Sequence, residues 1–558
     1  MLNTRMGGDQ PAAEILHRES SPPPVPESIV SCYRIAAASD MKLRYGALLS
    51  TVFLHTILPL LLFLFLFLFP ASLTLSLLLS VAKSADAAAI WISSSFLSSS
   101  HSSGGADDSM LGRHGFLASL GAFLAAIIAF LALLRHRSLQ RRQIYMVDFV
   151  CYKPEDDRKV SKQYFLENSG LIGLFTPESI DFQRKILERS GLGHETYFPP
   201  AVTRLPPNPC LDEARKEAEV VAFGAMDELF AKTRVSPGDI SILVLNCSAF
   251  CPAPSLTAAI INRYKLREDV VAYNLAGMGC SAGVISWDLA KRLMWLRPNS
   301  YALAFSTENI TLNWYRGNEK NLLVSNCLFR MGGAAMLLTN RSAERRRAKY
   351  ELLHTVRTNK AAEDKGYFCV QQEDDPNGLL GVVLSKELMS VAAGALRTNI
   401  TSLGPLVLPY SEQLRFAWSF VARRVLRLSP DAKPYAPDFK KAFEHFCIHA
   451  GGRAVLDRVE EALQLSERQM EPNRMTLYRF GNTSSSTIYY ELAYLEAKGR
   501  IKRGDRIWQI GFGSGFKCNS AVWRALRHQP PASVSNCWSS FIHRFPVHIP
   551  AVDDFTVS

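Results

Sequence analysis

A cysteine in a glycine-containing segment is the first candidate for chemistry in this sequence. Cys280 lies in Asn274–Gly283, NLAGMGCSAG, between a predicted strand and a predicted helix. Unpaired N–H groups and the positive dipole end at the start of a helix favour a thiolate, so we expect a lowered pKa and a nucleophilic sulfur. Gly277 and Gly279 leave room for a sharp turn and a close approach of substrate. The alternative is a buried cysteine that only packs.

A thiolate that forms a thioester needs partners that handle protons and negative charge. His449 precedes two glycines in EHFCIHAGGRAVLD, and Asn482 follows Gly481 in RFGNTSSS. One alternative is a metal site shared by His445 and His449, but the sequence has no HExxH glutamate and no obvious third ligand. The alternative for Asn482 is a simple Gly-Asn turn. We expect neither a metal nor a cofactor.

A second glycine-containing turn, Gly511–Phe516, has the sequence GFGSGF and follows a predicted strand. A dinucleotide loop would need the full GxGxxG spacing and an acidic residue about 20 positions further on, and both are missing. The sequence therefore indicates a glycine turn that directs its backbone N–H groups into a site.

These segments must be positioned by alternating strands and helices. Buried strands are predicted over 240–245, 270–275, 301–306 and 506–510, and helices over 255–264, 284–296 and 519–526. Alternation of this kind predicts α/β layers with a largely parallel sheet.

The first 142 residues have a different composition. Residues 1–40 read as a disordered tail rich in Pro, Ser and Ala. Two stretches without charge, about 45–82 and 116–134, are predicted as transmembrane helices, because a bilayer core needs about 20 apolar residues. The loop between the two stretches carries little positive charge, whereas both outer flanks are basic, which predicts that both ends and everything after Arg142 face the cytosol. The alternative for the second stretch is a buried core helix.

The net charge of the chain is +12, but its basic residues do not form one long tract with interleaved aromatic residues. Nucleic-acid binding is therefore not expected. The eleven cysteines form neither a dense disulfide framework nor paired zinc-type clusters. We interpret most of them as reduced, buried residues in a reducing compartment.

Four motifs together, NLAGMGCSAG, FCIHAGGRAV, RFGNTSSS and GFGSGFKCNSAVW, resemble those of the plant 3-ketoacyl-CoA synthases, the condensing enzymes of very-long-chain fatty acid elongation. The resemblance extends over nearly all of residues 115–530. It implies a thiolase-like α/β fold of two similar halves with mixed sheets layered by helices. The expected division is a tail over 1–40, a membrane region over 41–142, halves over 143–345 and 346–530, and a C-terminal tail over 531–558 to which we assign no role.

The resemblance also implies roles for the residues. Cys280 would carry the acyl group, and His449 and Asn482 would donate hydrogen bonds to the malonyl thioester oxygen. The amide of Cys280 and one from the turn with Gly513, Ser514 and Gly515 would form the oxyanion hole. His445 and His354 are predicted as accessory residues. The sequence departs from the family pattern at Ala276, often Gly, and at Asn359, often His.

The resemblance implies an acyltransferase in the endoplasmic reticulum membrane with its catalytic region in the cytosol. Its expected partners are acyl-CoA, malonyl-CoA, membrane lipid, a second copy in a homodimer, and the reductases and dehydratase of an elongase. The alternatives are a polyketide-type condensing enzyme, a thiolase, or a catalytically silent scaffold of the elongase complex.

Overall fold

The computed structural model describes residues 143–425, 435–530 and 535–550. Within these ranges no helix is both long enough and apolar enough to cross a membrane. The predicted spans at about 45–82 and 116–134, and the tail over 1–40, lie outside the described residues.

Nine strands form one mixed sheet in the order β11-β12-β13-β8-β1-β7-β6-β4-β5, and two short two-stranded sheets pair β2 with β3 and β9 with β10. The strands are β1 (Ile144–Cys151), β2 (Lys159–Val160), β3 (Thr196–Tyr197), β4 (Ile240–Asn246), β5 (Val271–Leu275), β6 (Tyr301–Thr307), β7 (Gly333–Thr339), β8 (Tyr350–Asn359), β9 (Val370–Asp374), β10 (Leu380–Leu384), β11 (His445–Ile448), β12 (Arg506–Gly513) and β13 (Lys517–Ala525).

The α-helices cover the sheet and connect its strands. They are α1 (Lys162–Ile172), α2 (Pro177–Arg189), α3 (Pro200–Thr203), α4 (Leu211–Thr233), α5 (Leu256–Tyr264), α6 (Ala282–Leu296), α7 (Lys320–Leu328), α8 (Asp364–Phe368), α9 (Leu388–Val407), α10 (Tyr410–Phe420), α11 (Arg453–Leu463), α12 (Glu467–Phe480) and α13 (Thr487–Ala497).

The large sheet repeats one pairing pattern. In its first part β4 is parallel to β6, and β6, β7 and β1 follow as antiparallel neighbours. In its second part β11 is parallel to β12, and β12, β13 and β8 follow in the same antiparallel sense. Strands β1 and β8 join the two parts as an antiparallel pair. The α/β fold with a mixed sheet is therefore confirmed. The expectation of a largely parallel sheet is wrong, because among the strands of the described residues only β5-β4, β4-β6 and β11-β12 run parallel.

Two helices lie at the centre of this arrangement. α6 contacts β4 and β6 of the first part and also β12 and β13 of the second, and every residue of α13 is buried. The helices meet closely, since a Cβ on Gly283 would lie 2.7 Å from the Ser485 carbonyl oxygen, and Trp287 packs against Tyr489. Because the first turns of both helices are buried, they are held inside the fold.

The predicted strands and the helices at 255–264 and 284–296 are confirmed, with shifts of one to three residues at their ends. The predicted helix at 519–526 is wrong, because these residues form most of β13. β13 lies between β12 and β8 and is buried on both faces, so its sequence lacks the two-residue alternation that identifies a strand with one exposed face.

The segment 535–550 packs onto the second part of the fold. Trp538 is fully buried, contacts Phe480 and Tyr494, and donates its indole N–H to the Tyr490 carbonyl. Phe480 ends α12 directly before the Gly481–Asn482 turn. This segment thus supports the element that carries Asn482.

Candidate active site

Cys280 lies in the turn between β5 and α6. The turn needs glycine at two places, since Gly277 has φ +66° and Gly279 has φ +68°. A Cβ on Gly279 would lie 2.2 Å from the Ser514 backbone nitrogen, whereas a Cβ on Gly277 would meet nothing within 4 Å. Gly279 therefore allows the nucleophile turn to touch the Gly513–Ser514 turn directly.

His449 directly follows β11, and its backbone N–H donates to the Ile510 carbonyl at 2.9 Å. Its ring Nδ1 lies 2.7 Å from the Thr487 hydroxyl, which in turn donates to the Ser484 carbonyl at 3.0 Å. A hydroxyl has a single hydrogen, so Thr487 accepts from His449, and Nδ1 carries the ring proton. Nε2 of the neutral ring is then free to accept a proton.

Asn482 is buried between α12 and a short 3-10 turn at Ser484–Ser486. Its side-chain oxygen accepts the Ser484 backbone N–H at 2.8 Å, and its Nδ2 donates to the Gly451 carbonyl at 3.1 Å. The first bond fixes which end of the amide is the donor, and the second occupies only one of the two N–H groups. One N–H of Nδ2 therefore stays available to a substrate oxygen.

The three predicted residues converge on one cavity of about 80 Å³ that is also lined by Gly513 and Ser514. A larger cavity of about 250 Å³ shares Cys280 and Ser514 with it. The walls of the larger cavity come from α7, the β9-β10 hairpin and the loops after β4 and β6: Ser248, Ala249, Glu308, Asn309, Ile310, Asn313, Trp314, Ser325, Asn326, Phe329, Val370, Gln371, Gln372 and Val382. The sulfur of Cys280 is thus reached from two sides.

The prediction of a lowered pKa for Cys280 is wrong. Burial raises the pKa of this thiol to about 12, the negative charge of Glu308 raises it further, and a hydrogen bond from Ser484 opposes both effects. Cys280 also lies two residues before the first residue of α6, so it is outside the helical turn that was expected to favour the thiolate. Burial lowers the pKa of His449 to about 4. At neutral pH the site therefore holds a thiol and a neutral imidazole.

Two residues of the site were not predicted from the sequence. The Ser484 hydroxyl lies 3.3 Å from the sulfur of Cys280 and 3.1 Å from a carboxylate oxygen of Glu308. Glu308 is buried and accepts the backbone N–H groups of Ala249 and Ser248 at 2.9 and 3.3 Å. Ser484 has φ +58°, an uncommon conformation for a non-glycine residue. A signal for Ser484 was its position two residues after Asn482, but Glu308 directly follows β6 and belongs to no motif.

The predicted accessory histidines lie elsewhere. His445 begins β11 and pairs with Asp505 at 2.9 Å, and His354 lies in β8 opposite Val522. Neither lines the two cavities that contain Cys280. His445 and His449 are about 13 Å apart along an extended strand, too far to share a metal ion. Among the described residues no cluster of three or more His, Cys, Asp or Glu has metal-ligand geometry.

Gly513 and Ser514 stand where the turn was predicted, and a Cβ on Gly513 would lie 2.8 Å from the Ser281 backbone nitrogen. Gly515, with φ +57°, closes the turn behind them. The turn is thus packed against the start of α6, and its role as an oxyanion hole stays a prediction.

The sequence matches two family models. The first, described as FAE1/Type III polyketide synthase-like protein, covers residues 136–425. The second, described as 3-oxoacyl-(acyl-carrier-protein) synthase III C terminal, covers residues 440–525. Cys280 lies in the range of the first model, and His449 and Asn482 lie in the range of the second.

Plant proteins named as 3-ketoacyl-CoA synthases are similar to this chain over most of its length. 3-Ketoacyl-CoA synthase 11 from Arabidopsis thaliana is 63% identical over 411 residues, which cover 74% of this chain and 80% of that protein. The chain belongs to the 3-ketoacyl-CoA synthase family. A probable 3-ketoacyl-CoA synthase 20 from Oryza sativa subsp. japonica is 55% identical over 433 residues, covering 77% of this chain and 82% of that protein. The resemblance of the four motifs to 3-ketoacyl-CoA synthases, and with it the prediction of a condensing acyltransferase, is confirmed.

The fold of this 3-ketoacyl-CoA synthase family member is shared with more distant proteins. The C-terminal type III polyketide synthase domain of Steely1 from Dictyostelium aligns with a TM-score of 0.54 and 18% identity, covering 69% of this chain and 99% of that one. This likeness supports the predicted thiolase-like fold and nothing beyond it.

Proposed function

We propose that this chain condenses a long-chain acyl-CoA with malonyl-CoA, releasing CO₂ and CoA, in very-long-chain fatty acid elongation. The observation that carries the proposal is the convergence of Cys280, His449 and Asn482 on one cavity in a member of the 3-ketoacyl-CoA synthase family.

In the first step the acyl group moves to Cys280. Nε2 of His449 accepts the thiol proton, and the thiolate attacks the acyl-CoA carbonyl. The carbon–sulfur bond to CoA breaks, and the leaving thiolate takes up a proton, so one S–H is exchanged for another. The thiolate of a thiol with a high pKa is a strong nucleophile. This thiolate forms only when His449 can accept the thiol proton.

In the second step malonyl-CoA replaces free CoA and loses CO₂, and the electron pair of the broken bond forms an enolate. The free N–H of Asn482 donates to the enolate oxygen. His449 donates to the same oxygen in its other neutral tautomer, in which Nε2 carries the ring proton and Nδ1 accepts the hydroxyl hydrogen of Thr487. The enolate carbon then attacks the thioester, giving 3-oxoacyl-CoA and a thiolate on Cys280 that takes up one proton from solvent, which the overall reaction consumes.

We also propose that the chain is anchored in the endoplasmic reticulum membrane with its catalytic region in the cytosol. The support is the pair of uncharged stretches at about 45–82 and 116–134 with basic flanks. Long acyl chains partition into lipid at about 0.8 kcal/mol per methylene, so an enzyme at the surface can take them from there. A homodimer, other elongase components and lipid are the proposed partners. Protease digestion of sealed microsomes should degrade the region after residue 142 without detergent.

The condensation is tested with membranes that contain the full chain, given labelled malonyl-CoA and a saturated long-chain acyl-CoA. We expect CO₂ release and a 3-oxoacyl-CoA two carbons longer than the substrate, and neither with Cys280→Ser. A product extended by several units would favour the polyketide-type enzyme. Equal activity in the variant would overturn the assignment of Cys280, and no activity in the wild type would favour a scaffold.

A further inference from the structure

One helix of the catalytic region is folded with its apolar side outward. In α10, YSEQLRFAWSF, the five large apolar residues are between 47% and 64% exposed: Tyr410, Leu414, Phe416, Trp418 and Phe420. A helix on the surface of a soluble protein normally buries its apolar side and exposes its polar side. Here the relationship is reversed.

The polar side of α10 is the side that holds it to the protein. Glu412 is fully buried and accepts hydrogen bonds from the Tyr435 hydroxyl at 2.5 Å, the Asp438 backbone N–H at 3.0 Å and the Lys441 amine at 2.5 Å. These bonds hold the pKa of Glu412 at about 2, so it stays charged and paired. The orientation of α10 is therefore anchored by its polar contacts and cannot be exchanged for one that buries the aromatic residues.

The exposed surface of α10 is apolar, aromatic and cationic. The acidic residue of the helix is buried, while Arg415, whose guanidinium lies 3.8 Å from a carboxylate oxygen of Glu412, is 63% exposed. Leu406, just before α10, adds another half-exposed apolar side chain. Aromatic residues beside a basic one on an outward face are typical of a helix that lies in the interface of a membrane, where anionic headgroups attract the arginine.

We propose that α10 lies in the surface of a phospholipid bilayer, with Leu414 and Trp418 among the acyl chains and Arg415 at the headgroups. A second copy of this chain is the competing occupant of this face, and the crosslinking experiment below distinguishes it from lipid. The contact would be separate from the proposed spans at 45–82 and 116–134. It would hold the catalytic region against the lipid from which long acyl chains come.

The contact is tested by photocrosslinking in the full chain, reconstituted into phosphatidylcholine vesicles with and without phosphatidylserine. Benzoylphenylalanine is placed at Leu414 and, as a matched control, at Leu296, an exposed leucine at the end of α6. We expect several-fold more phospholipid adduct at 414 than at 296, with an increase when phosphatidylserine is present. Equal lipid labelling at both positions, or an adduct to a second copy or to the N-terminal region, would overturn the proposal.

Tryptophan fluorescence gives a second measurement that does not depend on an unnatural residue. Vesicles of brominated phosphatidylcholine quench the fluorescence of tryptophans that touch the acyl chains. The difference in quenching between the wild type and Trp418→Phe measures the contribution of Trp418. We expect a clear loss, and no difference between wild type and variant would contradict the contact. Both measurements report lipid contact and not condensation. A negative result here does not affect the proposed reaction, and a negative result in the condensation assay does not affect the proposed lipid contact.

Discussion

The Ser484 hydroxyl lies 3.3 Å from the sulfur of Cys280, although 204 positions separate the two residues in the chain. The same hydroxyl is 3.1 Å from Glu308, and its single hydrogen can serve only one of the two acceptors at a time. Ser484 therefore links the nucleophile to a buried carboxylate, and a change in one affects the charge balance of the other.

Replacing Ser484 with alanine should make Cys280 less reactive. The serine hydrogen bond lowers the pKa of the thiol, and a bond of this kind is worth about 1 kcal/mol, or about fivefold in thiolate population. We expect alkylation of the Cys280 peptide by iodoacetamide to slow by about that factor, as followed by mass spectrometry. Ser486→Ala is the matched control, because Ser486 bonds only to Thr483. Equal slowing in both variants would show that the loop, and not this bond, controls the thiol.

Replacing Gly279 with alanine should abolish most activity, whereas Gly277→Ala should not. Both residues have positive φ, so both variants carry a strain of about 1–2 kcal/mol. A Cβ at 279 also clashes with the Ser514 nitrogen at 2.2 Å, and one at 277 meets nothing. We expect a loss in condensation rate on the order of 10² for Gly279→Ala only, since displacing oxyanion donors has this effect. Similar rates in the two variants, with similar thermal stability, would remove the Gly513–Ser514 turn from the mechanism.

The residues with a motif were found from the sequence, and the residues without one were not. Cys280, His449 and Asn482 stand beside glycines that mark turns, and the structure brings them to one cavity. Glu308 has no such marker, because it follows a buried strand and acquires its place only when β6 and the Ser484 turn pack together. Its contact with Ser484 is a tertiary relationship that no local spacing encodes.

Burial also decided two of the predictions that were wrong. The sequence at 519–526 lacks the alternation of polar and apolar residues because β13 is covered on both faces. For this reason a helix was predicted where the structure has a strand. The pKa of Cys280 was expected to fall at a helix start, but the thiol lies before α6 and desolvation raises its pKa. Both outcomes depend on what surrounds a residue in space.

Replacing Thr487 with valine should slow decarboxylation of malonyl-CoA. Valine keeps the shape of threonine but removes the hydroxyl that lies 2.7 Å from Nδ1 of His449, so the ring loses the partner that sets its tautomer. The loss of one buried hydrogen bond corresponds to about tenfold in rate. Thr487→Ser retains the hydroxyl and should stay close to wild type. Release of labelled CO₂ in single-turnover experiments measures the effect, and equally slow serine and valine variants would assign it to packing.

Protonation of His449 should destabilise the fold in acid. Burial lowers the pKa of His449 from 6.5 to about 4, so between these values the unfolded chain binds a proton that the folded chain does not. Stability therefore falls as the pH decreases from about 6.5 to 4, by up to about 3 kcal/mol from this group. His449→Gln cannot titrate and should show a smaller decrease over the same window. His354 and His445 also have lowered pKa values, but they are present in both proteins and cancel in the difference. Urea unfolding at a series of pH values checks this, and parallel curves for the two proteins would mean that His449 is already solvated in the folded state.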